Sequence, residues 1–389
     1  MATISLKRPR STCAPSRSSP RLGQPRACRK YLCRCGRPLF FQNSVCLGCG
    51  ALLGYEPELG KLYPLTPSPL AGLCQIPGGR RKFFRRCANL DSPSGCNWIF
   101  AARENEEGIT LCLSCRLNRT IPDLSVAENR EYWRRVEMAK RRLISSLVAL
   151  GLPVASRITE DPERGLAFDV LRPLTGGAPV LTGHCSGIVI LNVEEADDLI
   201  RERTREQMHE PYRTLLGHLR HEIGHYYWDR LIGASEWLSG FHEVFGDEKR
   251  DYGAALQQHY QQGASADWPQ HYVSAYASAH PWEDWAETWA HYLHLIDTLD
   301  TAFSFRLVID SVGLPFESFD LEALARPEES SAADFLGLLN AWARFTAVLN
   351  ELSRSMGLPD FYPFILSRQA VAKLHFVHTV IERERSSIR

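Results

Sequence analysis

Apolar positions in the last two thirds of the chain recur with helical spacing in five stretches. In 129–150, Trp133, Val136, Leu143, Leu147 and Leu150 share one side, and Gly151 and Pro153 close the helix. The opposite face is dense in arginine and lysine and reads as solvated. The stretch "PYRTLLGHLRHEIGHYYWDRLI" predicts a helix with Pro211 in its first turn and Leu215, Leu219, Gly224 and Trp228 on its packed side. "PWEDWAETWAHYLHLIDTL" starts another helix at Pro281, with a ridge of Trp282, Trp285 or Ala286, Trp289, Leu293 and Ile296. Phe335, Leu338, Trp342, Phe345, Leu349 and Leu352 step by three and four, and Val371, Leu374, Val377 and Ile381 mark a last helix. The β-branched run Ile188-Val189-Ile190, bounded by glycine and then by acids, predicts a strand. Residues 246–281 mix short helical pieces with loops.

The first third has a different pattern. The first 30 residues are rich in Arg, Ser and Pro and poor in large apolar side chains. They read as a disordered basic tail without the apolar core of a secretory signal. Cysteines then cluster. Cys33, Cys35, Cys46 and Cys49 in "YLCRCGRPLFFQNSVCLGCG" predict a zinc ribbon, two β-hairpin knuckles holding one Zn²⁺ by four thiolates. The first knuckle is C-x-C rather than C-x-x-C, which leaves Cys28 as an alternative ligand. Cys87, Cys96, Cys112 and Cys115 form a second plausible four-thiolate set, with Cys74 left over. Modules this small take their folding free energy from the metal. The expected organisation is a tail over 1–30, a zinc ribbon over 31–72, a second cysteine-rich zinc module over 73–124, and a mostly helical body over 125–389.

Charge and composition restrict the functions available. The 389 residues carry 45 basic and 45 acidic side chains, which argues against a generic polyanion binder. Basic residues near the ribbons, Arg80, Arg81, Lys82, Arg85 and Arg86, leave nucleic-acid contact as a secondary reading. No apolar run is long enough to span a membrane. Twelve cysteines without a secretory signal point to a reducing, cytoplasmic setting, where clustered thiols bind metal.

Chemistry concentrates in "HLRHEIGHYYWDR", which contains H-E-x-x-H. On a helix, positions four apart lie above one another, so His221 and His225 can aim two imidazoles at one Zn²⁺. Glu222 stands beside the first ligand and can take a proton from a water on the metal. A hydrolytic zinc needs a third protein ligand and an open position. Glu283 and Glu287 share one face of the predicted tryptophan-rich helix. One can ligate, and the other can hold the free N–H of a ligand histidine. Oxyanion stabilisation would fall to a tyrosine or to one of His280, His291 and His294. His218, just before the motif, reads as structural.

This pattern resembles the gluzincin class of zinc metallopeptidases, which includes thermolysin and anthrax lethal factor. The resemblance implies Glu283 on the metal, Glu287 bracing a histidine ligand, and Glu222 as general base. It also implies Tyr276, seven residues before Glu283, as an oxyanion donor. More narrowly, "CNWIF", "CRLNRTIPDLS", "RTLLGHLRHEIGHYYWDRLI", "FGDEKRDYGAALQQHY" and "HPWEDWAETWAHYLH" resemble a bacterial family of zinc-binding metallopeptidases with an N-terminal zinc-ribbon region. The implied fold is α+β, a mostly helical zincin-like domain preceded by small β-hairpin ribbons. The implied cofactors are one catalytic and one or two structural Zn²⁺, and the implied partner is a peptide or protein substrate. The rival is a ribbon module, binding nucleic acid or protein, on an inactive zincin scaffold.

Overall fold

The computed structural model describes residues 24–78, 83–102, 108–174, 176–177, 180–207, 213–309 and 312–387. Residues 1–23 of the basic segment, Arg80, Arg81, Lys82 and Pro211 lie outside them.

The cysteine-rich third folds as short antiparallel ribbons. β1 (Tyr31–Leu32) pairs with β2 (Pro38–Leu39), and β3 (Leu53–Glu56) with β4 (Lys61–Pro64). β5 (Thr66–Pro67), β6 (Leu73–Gln75), β7 (Phe83–Arg86) and β8 (Ile99–Ala101) follow as a meander. Gly36 and Gly50 each follow the second cysteine of a pair, at φ of +84° and +68°, which a side chain at Cβ would resist.

A second four-stranded sheet belongs to the body. β9 (Asn118–Thr120), β10 (Ala167–Leu171), β11 (Gly183–Cys185) and β12 (Ile188–Asn192) lie in the order β11–β12–β10–β9. β10 runs parallel to both neighbours, and β11 runs antiparallel to β12 at the edge. The β-branched strand read from Ile188 to Ile190 is therefore interior, and the edge strands are β11 and β9. β11 is a Gly-His-Cys strand with no apolar run to betray it.

The helices are α1 (Ala127–Leu150), α2 (Asp198–Gln207), α3 (Leu215–Leu231), α4 (Trp237–Phe245), α5 (Tyr252–Gln262), α6 (Trp268–His271), α7 (Pro281–Ser304), α8 (Ala332–Ser355) and α9 (Arg368–Ser387). Gly151 ends α1 in the left-handed conformation, its N–H returned to Leu147 and Val148. Thr214 caps α3 by accepting the N–H of Gly217 at 2.9 Å, three residues later than Pro211 suggested. The basic face of α1 is not wholly solvated. Lys140 is fully buried on Glu137 (2.5 Å) and on Asn118, and Arg141 donates to the Ser94 carbonyl at 3.0 Å, inside the second cysteine module. A single contiguous apolar core runs from Tyr31 and Tyr55 through Trp98 and Trp133 to Trp285 and Val377. Ribbons and body therefore share one interior. No helix among the described residues is long and apolar enough to cross a membrane.

Two features fix how α3 and α7 meet. The first is Gly224. A Cβ there would lie 2.9 Å from the Cα of Ala286 and 3.2 Å from the Cβ of Trp289, so only glycine lets the backbones come this close. Trp285 Nε1 donates to the Gly224 carbonyl at 2.8 Å and sets the register of the two helices. The second is Asp297, a buried carboxylate of α7. It receives Arg29 (3.0 Å to Oδ1), Arg142 of α1 (2.8 Å to Oδ2) and Arg220 of α3 (2.7 Å to Oδ2). Burial opposes its charge, but the three guanidiniums overcome that and hold its pKa far below the usual carboxylate range. Its stabilisation is thus present above the ordinary carboxylate pKa and is lost only in strong acid.

Arg29 belongs to a segment whose composition suggested disorder. Residues 26–29 are buried instead. The N–H groups of Arg26 and Ala27 donate to Asp300 at 2.8 and 3.0 Å, and that of Arg29 to Ser304 Oγ at 2.9 Å.

Gly224→Ala is expected to destabilise the fold by about 1–3 kcal/mol, the cost of overpacking. Asp297→Asn, which removes the main counter-charge of buried Arg29 and Arg220, is expected to cost about 3–5 kcal/mol. Urea unfolding checks both; a Gly224→Ala protein as stable as the parent would show that the helices have room to spare.

Candidate metal centre

His221 and His225 project from the same face of α3 toward the first turn of α7. Their Nε2 atoms are 3.2 Å apart, so the rings converge on one point. Glu283 Oε2 stands at that point, 3.0 Å from His221 Nε2 and 3.5 Å from His225 Nε2. It is buried and has no well-aligned hydrogen-bond partner. Two ring nitrogens and a carboxylate oxygen, all within 4.8 Å of one another, suit a divalent cation far better than one another. The donor set is the His₂Glu combination that zinc accepts with a fourth position open.

The surroundings orient these donors. His221 Nδ1 donates to Glu287 Oε1 at 2.7 Å, which leaves Nε2 to face inward. Glu287 also receives Ser274 Oγ at 2.6 Å. Burial opposes the charge of Glu287, but the hydrogen bond and charge of His221, with His291 and Ser274, together outweigh it and hold the carboxyl at about 2. Trp282 packs on His225 with ring centroids 3.8 Å apart. His184, on the edge strand β11, lies 6.4 Å from His225, ring to ring, and burial lowers its pKa to about 3, so it is neutral.

Glu222 is buried beside the cluster, and its Oε2 has no hydrogen-bond partner. Its Oε1 lies 3.5 Å from His218 Nε2, one helical turn earlier. His218 is in turn held by Glu195, 2.6 Å from Nδ1. Sequence reading left His218 without this role, although its spacing of four from Glu222 was a usable signal. Glu195 comes from a distant turn, and only the fold reveals it.

Tyr276 lies beside the centre, its ring 5.9 Å from that of His221. Burial, with the nearby Glu283 charge, raises its pKa well above the ordinary phenol value. The three histidines offered as alternatives are committed elsewhere. His280 caps α7 by accepting the Trp282 N–H at 3.1 Å and donates to the Arg250 carbonyl at 3.1 Å. His291 pairs with the Tyr362 hydroxyl at 2.6 Å, and His294 with Arg220 at 2.7 Å. Tyr252, not anticipated, donates to Glu283 Oε1 at 2.6 Å.

Both cysteine sets assemble. Cys33, Cys35, Cys46 and Cys49 form one group, and Cys87, Cys96, Cys112 and Cys115 another, each within 4.8 Å. The sulfurs of Cys33 and Cys49 are 3.6 Å apart, those of Cys35 and Cys46 3.7 Å, and those of Cys96 and Cys112 3.6 Å. These separations match the edge of a zinc–thiolate tetrahedron, about 3.8 Å for Zn–S bonds of about 2.3 Å. They are far too long for disulfides. Backbone N–H groups of Gly48 and Cys49 bring the Cys46 thiol down to about 6, favouring the thiolate that binds metal. Cys28 is not in the first group; its thiol donates to the Lys30 carbonyl at 3.4 Å. Cys74 sits in a separate small core with Leu65, Phe84 and Ile99.

Residues 129–380 match the model of a family described as "putative zinc-binding metallo-peptidase", and residues 30–126 match a zinc-ribbon domain. The chain belongs to this zinc-binding metallopeptidase family. Uncharacterised proteins of Mycobacterium tuberculosis and Mycobacterium bovis are 41% identical to it over 356 residues, covering 91% of this chain and 95% of theirs. No solved structure matches it. The alignment with these relatives spans both matched regions, the zinc ribbon and the metallopeptidase.

The Glu195–His218 pair generates a pH prediction. Burial opposes the His218 charge, but Glu195 overcomes it and raises the pKa; Glu195 itself is held at about 2. A raised histidine stabilises below its unfolded pKa and loses that contribution as pH rises through the folded one. A lowered carboxylate stabilises above its unfolded pKa and loses that contribution as pH falls toward 2. Glu195→Gln is therefore expected to cost about 1–3 kcal/mol near pH 5–6. The cost should shrink on either side, as urea unfolding across pH would show.

Proposed function

We propose that this metallopeptidase hydrolyses peptide bonds at a single zinc held by His221, His225 and Glu283, with Glu222 as general base. One observation carries the reading: both imidazole Nε2 atoms and the unpartnered Glu283 Oε2 converge beside an equally unpartnered Glu222 Oε2. When bound, zinc supplies the Lewis acidity that makes a water acidic near neutral pH and polarises the scissile carbonyl.

The chain's own residues do the rest. Glu222 takes the water's proton at its free Oε2 and delivers it to the leaving amine. His218, anchored by Glu195, stands against the other oxygen and aims the carboxylate. Glu287 keeps His221 in the tautomer whose Nε2 ligates. The Tyr276 ring lies beside His221, and its hydroxyl is the candidate donor to the developing oxyanion. An extended substrate would add to the free edge of β11, which lies beside His225 through His184. The two thiolate groups hold structural zinc, since four sulfurs leave no open position.

Glu222→Gln should keep its metal and fold while peptide cleavage falls by a factor of about 10²–10⁴. Metal content and cleavage of an unfolded protein substrate, measured on the same preparation, check this. Full activity in Glu222→Gln would sink the mechanism. Glu287→Gln should weaken metal binding about 10–100-fold in a chelator competition and leave both thiolate sites filled.

A further inference from the structure

Glu283 uses its two oxygens differently. Oε2 faces the point where His221 and His225 converge. Oε1 accepts the Tyr252 hydroxyl at 2.6 Å. A carboxylate free to rotate can chelate a cation through both oxygens and occupy two coordination positions. Zinc in a hydrolytic site needs one of those positions left for the reactant.

Tyr252 is held firmly against that second oxygen, Oε1. It opens α5, whose first turn is capped by Asp251 accepting the Ala254 N–H at 2.9 Å. The residue before the cap, Arg250, accepts His280 Nε2 at 3.1 Å, and His280 is itself the cap of α7. The tyrosine ring lies edge-on to His280 and to Trp282, at 5.2 and 5.6 Å. The start of α5 is thus tied to the helix turn that carries Glu283. The hydroxyl is fixed relative to the carboxylate it holds.

We propose that Tyr252 is a positioning residue that confines Glu283 to coordination through one oxygen and so reserves a coordination position for the reacting groups. This rests on the reading of Glu283 as a zinc ligand. It assigns a purpose to a tyrosine contributed by α5, a helix with no fully buried residue, from outside both ligand-bearing helices. Tyr252→Phe removes only the hydroxyl of a side chain 37% exposed, so the fold should survive.

The test uses the full chain loaded with cadmium-113 at every site. In NMR the two four-thiolate groups resonate far downfield of a nitrogen–oxygen site, and they report in each variant that the fold is intact. In Tyr252→Phe the nitrogen–oxygen resonance is expected to persist but move upfield as the second Glu283 oxygen joins the metal. A resonance that stays in place in Tyr252→Phe overturns the proposal. Glu283→Gln, run alongside, separates the two ideas. Its resonance should be lost or displaced; if it is unchanged, Glu283 is not a ligand, and the parent reading falls together with this one. An altered Glu283→Gln spectrum with an unaltered Tyr252→Phe spectrum overturns the role of Tyr252 alone.

Discussion

The close approach of α3 and α7 is the constraint on which the candidate metal centre depends. Each helix carries half of the candidate site by its own four-residue spacing: the donors His221 and His225 on α3, and on α7 the donor Glu283 with Glu287, which holds His221 Nδ1. Neither half can gather a cation alone. They meet because Gly224, between the two histidines, presents no side chain to Ala286. The indole of Trp285 then locks the helices against sliding through the Gly224 carbonyl. Farther along, Tyr227 stacks on Trp289 at 4.9 Å, and Arg220 reaches Asp297. A gap of one methyl group, a hydrogen bond and an ion pair together set the distance between the imidazoles and the carboxylates.

Much of this was legible without coordinates, for a physical reason. The donor pairs are local: i and i+4 on a helix is a geometric statement that sequence spacing carries in full. The long helices announced themselves by the 3.6-residue period, and the cysteine groups by their clustering and their C-x-x-C halves. What escaped was non-local or disguised. Tyr252 and Glu195 reach the centre from α5 and from the turn before α2, with no spacing that ties them to it. β11 is three residues long and has no apolar pattern, so the eye settles on the β-branched β12 beside it. Arg26 and Arg29 look like part of a solvated basic tail because composition counts charges but does not see their partners. Those partners are Asp297 and Asp300, some 270 residues downstream. Lys140 and Arg141 misled for the same reason: a charged helix face reads as wet until its partners are found, here Glu137 and the Ser94 carbonyl.

The buried charges also say how the two halves of the molecule relate. The ribbon half has little apolar interior beyond what it shares with α1, and the shared core runs through Trp98 and Trp133 without a break. The knuckle cysteines gather into their own groups, and α1 supplies apolar surface in the core they share.

Asp297 carries this furthest. It is reached from Arg29 ahead of the first cysteine pair, from Arg142 on α1, and from Arg220, the residue next to His221. The segment 26–29 precedes the start of both family-matched regions, at residues 30 and 129. Its guanidinium is nonetheless one of three that neutralise a carboxylate on the helix that bears Glu283. A chain shortened to its matched regions would keep every ligand and lose part of that neutralisation. The register of the ligand helices is thus partly stored at the opposite end of the polypeptide. The ion cluster beneath the candidate metal centre is complete only with residues 26–29 in place.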